Sequence, residues 1–303
     1  ALPSLAVRSL TTEVIGFLGV SAMGALTPDQ VAVLNPGELR ITQLSSTQAA
    51  SLTATQVSNL SESQVASFTS AAIKGLSNQA FAFLNTSQLQ ALDSVSIRGV
   101  SPTQLRVIGT DKIGALQTQD LVGLSSLQLQ GLGTAQVAQL SCSQLAAMTS
   151  MTVRGFTASQ LGAVGADKIS ALSVADIATF TSSQIAGLGA DQVYALPSDR
   201  IGAIASAAIS GLALAAYSAQ FSTLSGTQIA ELSLAADTER VHLLSTSQFA
   251  ALTSANIKGF STSQVSQLGT ALIRSIEIAD LPGLNAEELR AFSPSQLNAL
   301  STQ

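Results

Sequence analysis

Leu60-Ser61-Glu62-Ser63-Gln64-Val65-Ala66-Ser67-Phe68 is the stretch on which the fold turns. Ser61 and Gln64 stand three apart, the spacing of a capping box, in which the hydroxyl accepts from one unpaired amide and the Gln side chain returns to another. Leu60 and Val65 then occupy N′ and N4, where two apolar side chains staple the chain as it enters a helix. Phe68 opens the next unit. Stepping by eight from Leu44 through Leu52, Leu60 and Phe68 to Leu212, all 22 positions are apolar, and so are all 21 found five places later. Chance does not hold that phase from Leu44 to Leu212.

With Leu44 as position 1, position 2 is Ser, Thr, Asn or Asp in 14 of 21 octads and Gly in four more, the residues preferred at an N-cap. Position 5 is Gln in 11 of 21, which completes the box. Pro28, Pro36, Pro102 and Pro294 fall at position 3, the first helical residue, where a missing N–H costs nothing. Gly or Ala fills position 8 in 14 of 21 octads, so neighbouring backbones can approach there and the chain can bend. A strand is excluded by parity, because positions 1 and 6 would point to opposite faces. One continuous helix is excluded as well, since eight residues at 100° each leave the apolar stripe drifting by about 80° per unit.

Each octad therefore reads as one very short capped helix. Helices below roughly 12 residues are marginal alone, so they must stack on octads above and below. The expected fold is all-α, a solenoid or superhelix running through 1–303, with stability summed over neighbour interfaces. Two departures interrupt the frame: a two-residue insertion in 35–43, and four-residue insertions in 213–244 that predict two longer helices. A larger repeat lies over the octads. Residues 97–152 align on 153–208 without gaps, with 21 of 56 positions identical, including Arg98/Arg154, Asp111/Asp167 and Lys112/Lys168.

Mean hydropathy is +0.39, yet the longest apolar run is Gly211 to Tyr217, far short of the roughly 18 residues a bilayer span needs. No transmembrane segment is expected. A formal charge of −5 leaves no basic stripe to neutralise a phosphate backbone, which argues against nucleic acid. The single Cys142 cannot form a disulfide within the chain, so a disulfide-dense secreted module is ruled out. Ala1 to Leu5 shows no charged or apolar region of an export signal.

The pattern Leu-Ser/Thr-x-x-Gln-Val/Ile-x-x-Leu, as in Leu60 to Phe68, resembles the octapeptide repeats of very large bacterial surface or secreted adhesin-like proteins. It is also similar to the capped short helices of the mesothelin, stereocilin and otoancorin superhelical ectodomains. Sparse charge and a single cysteine depart from the vertebrate group and favour the bacterial one. The resemblance implies an extracellular or cell-surface structural and adhesive role.

Chemistry is sparse along the chain. His242 is the only histidine, so a metal site or triad would have to be built around it, and a packing or surface role is the plainer reading. No nucleophile-elbow, P-loop or dinucleotide glycine pattern occurs, and the serines are accounted for as caps. We expect no catalytic, cofactor or metal residues. Lys74, Arg98, Arg154 and Lys258 recur in Ile/Val-Lys/Arg-Gly-apolar octad ends and form a candidate interaction face, although solvated helix ends beside the C-terminal dipole are the plainer reading. Leu2, Leu297 and Leu300 are candidates for end-to-end contact between copies. Partners would be a protein, a cell-surface glycan met by a ladder of Gln and Ser/Thr, or other copies stacked head to tail. A self-assembling filament or surface-layer subunit and a protein-interaction solenoid are the alternatives to an adhesive segment.

Overall fold

The computed structural model describes residues 7, 26–34, 41–212, 221–234 and 244–300. Among them there is no strand, and nearly every octad carries one short helix, such as Glu62–Ala66, Thr86–Gln90 and Pro102–Arg106. The capping box is present as read. At Ser61 the hydroxyl accepts from the Gln64 amide and Gln64 Oε1 accepts from the Ser61 amide, at 3.3 and 2.9 Å. Positions 1 and 6 are buried almost without exception from Leu44 to Leu212. Where the Gln is missing the helix can tighten: octads opening with Asp93 and Gly109 hold 3-10 turns at Ile97–Gly99 and Thr110–Ala115.

The chain forms two compact units, Ala1–Phe156 and Thr157–Gln303. Within each, octads wind into stacked coils whose period is set by hydrogen bonds. Gln104 Nε2 donates to the Leu76 carbonyl, and Gln128, Gln144, Gln192 and Gln296 donate likewise to Val100, Leu116, Val164 and Leu268, each 28 residues earlier. A turn is thus three and a half octads. The half octad staggers the coils, so corners such as Gly75, Gly99 and Gly155 sit over a helix start rather than over another corner.

That stagger explains the glycines at position 8. A Cβ on Gly75 would lie 2.1 Å from the Ser46 carbonyl oxygen, on Gly99 2.0 Å from that of Ser70, and on Gly155 2.1 Å from that of Ser126. No side chain fits between these three corners and the helix starts beneath them. Since three and a half octads cannot return to the same corner, the spacing of the glycines in closest backbone contact alternates, with Gly123, whose Cβ would lie 3.1 Å from the Ser94 oxygen, as an additional position-8 glycine between them. Gly75 and Gly99 are three octads apart, Gly99 and Gly131 four, Gly131 and Gly155 three again. Two turns make seven octads, which is the larger repeat of the sequence.

The insertion after Leu232 is taken up without loss of register. Helix Gly226–Leu234 runs through its corner to 9 residues, the longest described. Gly259 still packs on a carbonyl of the coil below, that of Gly226, four positions further back than the Gly75-to-Ser46 spacing would place it. Residues 35–40, 213–220 and 235–243, on which the rest of the two insertion readings and His242 fall, lie outside the described residues.

Candidate interaction face and buried rungs

Position 5 does more than cap. Gln136, 4% exposed, accepts from the Gly133 amide through Oε1 at 2.6 Å and donates through Nε2 to the Leu105 and Ile108 carbonyls at 2.8 and 2.7 Å. One side chain satisfies the N-cap of its own helix and the helix end of the coil below, which is why a carboxamide, carrying both acceptor and donors, dominates here. Other donors replace it. Lys112 Nζ reaches the Ala82 and Leu84 carbonyls at 3.0 and 2.9 Å, and Thr152 Oγ1 reaches Leu124 at 3.0 Å. The Gln ladder anticipated as an outward surface for glycans therefore faces inward: Gln48, Gln56, Gln88, Gln104, Gln128 and Gln144 are all buried. Their polar atoms are used up between coils.

Outward chemistry lies elsewhere. Val95, Val122, Leu127 and Met151 are exposed by 59, 49, 64 and 75%. Val122 falls one position short of a full turn beyond Val95, and Met151 one position past a full turn beyond Val122. The three therefore lie one above another, with Leu127 on the helix after Val122. Helix Thr118–Gly123 packs on Ile97–Gly99, and Ser126–Gly131 packs on Ser150–Val153. The stripe thus crosses three adjoining coils.

Three of the four anticipated cations border it. Lys74 and Arg98 are exposed on directly packed elements, Ser70–Gly75 and Ile97–Gly99, and exposed Arg154 stands two turns beyond Arg98. Residues 94–100, 122–128 and 150–156, which share this register, contain no acidic side chain. Lys258 is exposed at an equivalent helix end in the second unit. Sequence reasoning named the cations but not the apolar stripe, because four residues scattered over positions 4 and 7 of the octad align only once the turn length is known.

Of the apolar end candidates, Leu297 is half exposed and Leu300 partly buried, while Leu2 lies outside the described residues. Leu289 is also exposed; it and Leu297 hold position 6, which every octad from Leu44 to Leu212 buries. Cys142 is the exposed first residue of helix Cys142–Ala147, as its octad position indicated. No group of three or more metal-ligating side chains gathers among the described residues, and no described helix is long and apolar enough to cross a membrane.

This is a repeat protein of stacked, capped short helices. Residues 113–150 match the family model described as the ALTTAQ repeat. Set on the octad with Leu at position 1, those six letters end on Gln at position 5, and Gly131-Leu132-Gly133-Thr134-Ala135-Gln136 is the corresponding run within the match. No curated protein matches the chain.

Proposed function

We propose that the chain is a non-enzymatic structural and adhesive segment of an extracellular or cell-surface protein, presenting its outer surface to a protein or glycan partner. The observation that carries this reading is the stripe of Val95, Val122, Leu127 and Met151 bordered by Lys74, Arg98 and Arg154. Contiguous exposed apolar surface rimmed by charge is the mark of an interaction site. Stacked coils suit this role because, within the first unit, successive turns bring Val95, Val122 and Met151 into one register.

The test displays the chain on beads and measures attachment to cell-surface preparations before and after removal of their glycans. A variant with Leu127→Ser, Met151→Ser, Arg98→Glu and Arg154→Glu, all exposed and so tolerable to the fold, should lose most attachment. Undiminished attachment by that variant would overturn the assignment of the face. A self-assembling subunit is the second reading, favoured by exposed Leu289 and Leu297. Light scattering over a concentration series, with Leu289→Glu and Leu297→Glu as the comparison, separates it from the first.

A further inference from the structure

Asp120 stands at position 5, where the Gln rungs both accept from their own N-cap and donate to the coil below. Its side chain is fully buried. Oδ2 accepts from the Gln117 amide at 3.0 Å, as a rung Gln would through Oε1, but Oδ1 is buried with no hydrogen-bond partner. By the register of Gln104, Gln128 and Gln144, the carbonyls opposite it are those of Leu89 and Leu92. A short side chain reaches that far, since Thr152 Oγ1 makes the equivalent bond to Leu124. A carboxylate facing carbonyl oxygens is repelled; a carboxylic acid donates to them.

We infer that in mildly acidic solution Asp120 holds a proton in the folded chain and serves as a neutral rung, its Oδ1–H donating to the coil below, and that it gives up this proton as pH rises, so that the seam between these coils is a pH-sensitive joint. Asp176, at the matching place two turns on, shows what Asp120 lacks. Its Oδ2 accepts from both the amide and the hydroxyl of Ser173, at 2.9 and 2.7 Å, a second donor that Asp120 does not have. At Asp120 the cap residue is Gln117, whose Nε2 is turned to the Gln90 carbonyl instead.

The charged surroundings agree. Burial pushes the Asp120 carboxyl up to about 6; the Gln117 amide opposes this, and the charge of Asp93 adds to it. Asp93 itself is held below the usual range, chiefly by the Ser96 amide, and so remains charged. Of the elements packed on helix Thr118–Gly123, Ile97–Gly99 carries Arg98, exposed, and Cys142–Ala147 carries only Cys142, also exposed. A carboxyl raised in the folded state contributes most while protonated. Stability is therefore full below the ordinary aspartate range, near 4, and falls as pH rises through about 6.

Carbon-13 NMR of the full chain, with aspartate carboxyls labelled and Asp120 assigned by Asp120→Asn, should show a carboxyl titrating near pH 6. Urea midpoints between pH 5 and 8 should fall for the wild type and stay level for Asp120→Asn, whose amide donates at every pH. Gln117→Ser, which adds the hydroxyl Asp176 enjoys, should bring the titration back towards 4. A carboxyl titrating near 4 in the wild type, or an equal fall in midpoint for Asp120→Asn, overturns the inference. So does recovery of the pH 8 midpoint on adding calcium or sodium chloride at constant ionic strength, which would assign the place to a cation.

Discussion

At the residue scale, position 5 alters what the octad pattern implies. Read as a cap alone, Gln136 should be far cheaper to remove than an apolar anchor such as Leu132. Three hydrogen bonds, two of them to the neighbouring coil, raise its importance. Removing a buried partner costs about 1–3 kcal/mol for each group left unsatisfied, though Leu105's carbonyl keeps its bond from Ile108. Gln136→Ala should therefore cost about 2–4 kcal/mol in urea unfolding. Gln136→Lys should cost less, because Lys112 shows that an ammonium reaches the same kind of carbonyls. Leu132→Asp, which buries a charge at a 2% exposed site, should cost more than either, about 4 kcal/mol or above. Equal losses for Gln136→Ala and Gln136→Lys would show that donation to the lower coil contributes nothing.

At the scale of the element, the corner glycines matter through distance. Gly155→Ala would bring a Cβ to 2.1 Å from the Ser126 carbonyl oxygen, and the coils must part to admit it. Overpacking of this kind costs about 1–3 kcal/mol. Gly114 is a fitting control, because a Cβ there meets nothing within 4 Å, and Gly114→Ala should be neutral or slightly stabilising. Comparable destabilisation of the two by thermal unfolding would mean that corner contact does not govern glycine at position 8. Helices as short as Glu62–Ala66 have no stability alone. A peptide of one octad, such as residues 60–67, should be unfolded by far-UV circular dichroism, whereas the whole chain should be mainly helical.

At the scale of the molecule, function follows from what the coils leave outside. Buried rungs take almost all the position-5 Gln side chains out of contact with partners, and the cations and apolar residues between 74 and 154 remain. If Arg98 and Arg154 act together with Leu127 and Met151, partner binding should weaken with added salt and still retain an apolar component at high salt. Binding indifferent to salt would remove the cations from the face.

Helix, cap, staple and core positions were all legible in the chain, because each depends on contacts within one octad and recurs along its whole length. Gly and Ala at position 8 announced close backbones, and Pro at position 3 marked the helix start. How many octads complete a turn was decided only by tertiary packing. The alternation of three and four octads between glycines carries that number, but it acquires meaning only when a corner such as Gly75 is seen resting on the helix start at Ser46. The second role of Gln, the unpaired oxygen of Asp120 and the alignment of Val95, Val122 and Met151 all depend on that turn. Local hydrogen bonding sets the octad, whereas contacts such as Gln104 to Leu76 arise from the packing of one coil on the next, which no single octad encodes.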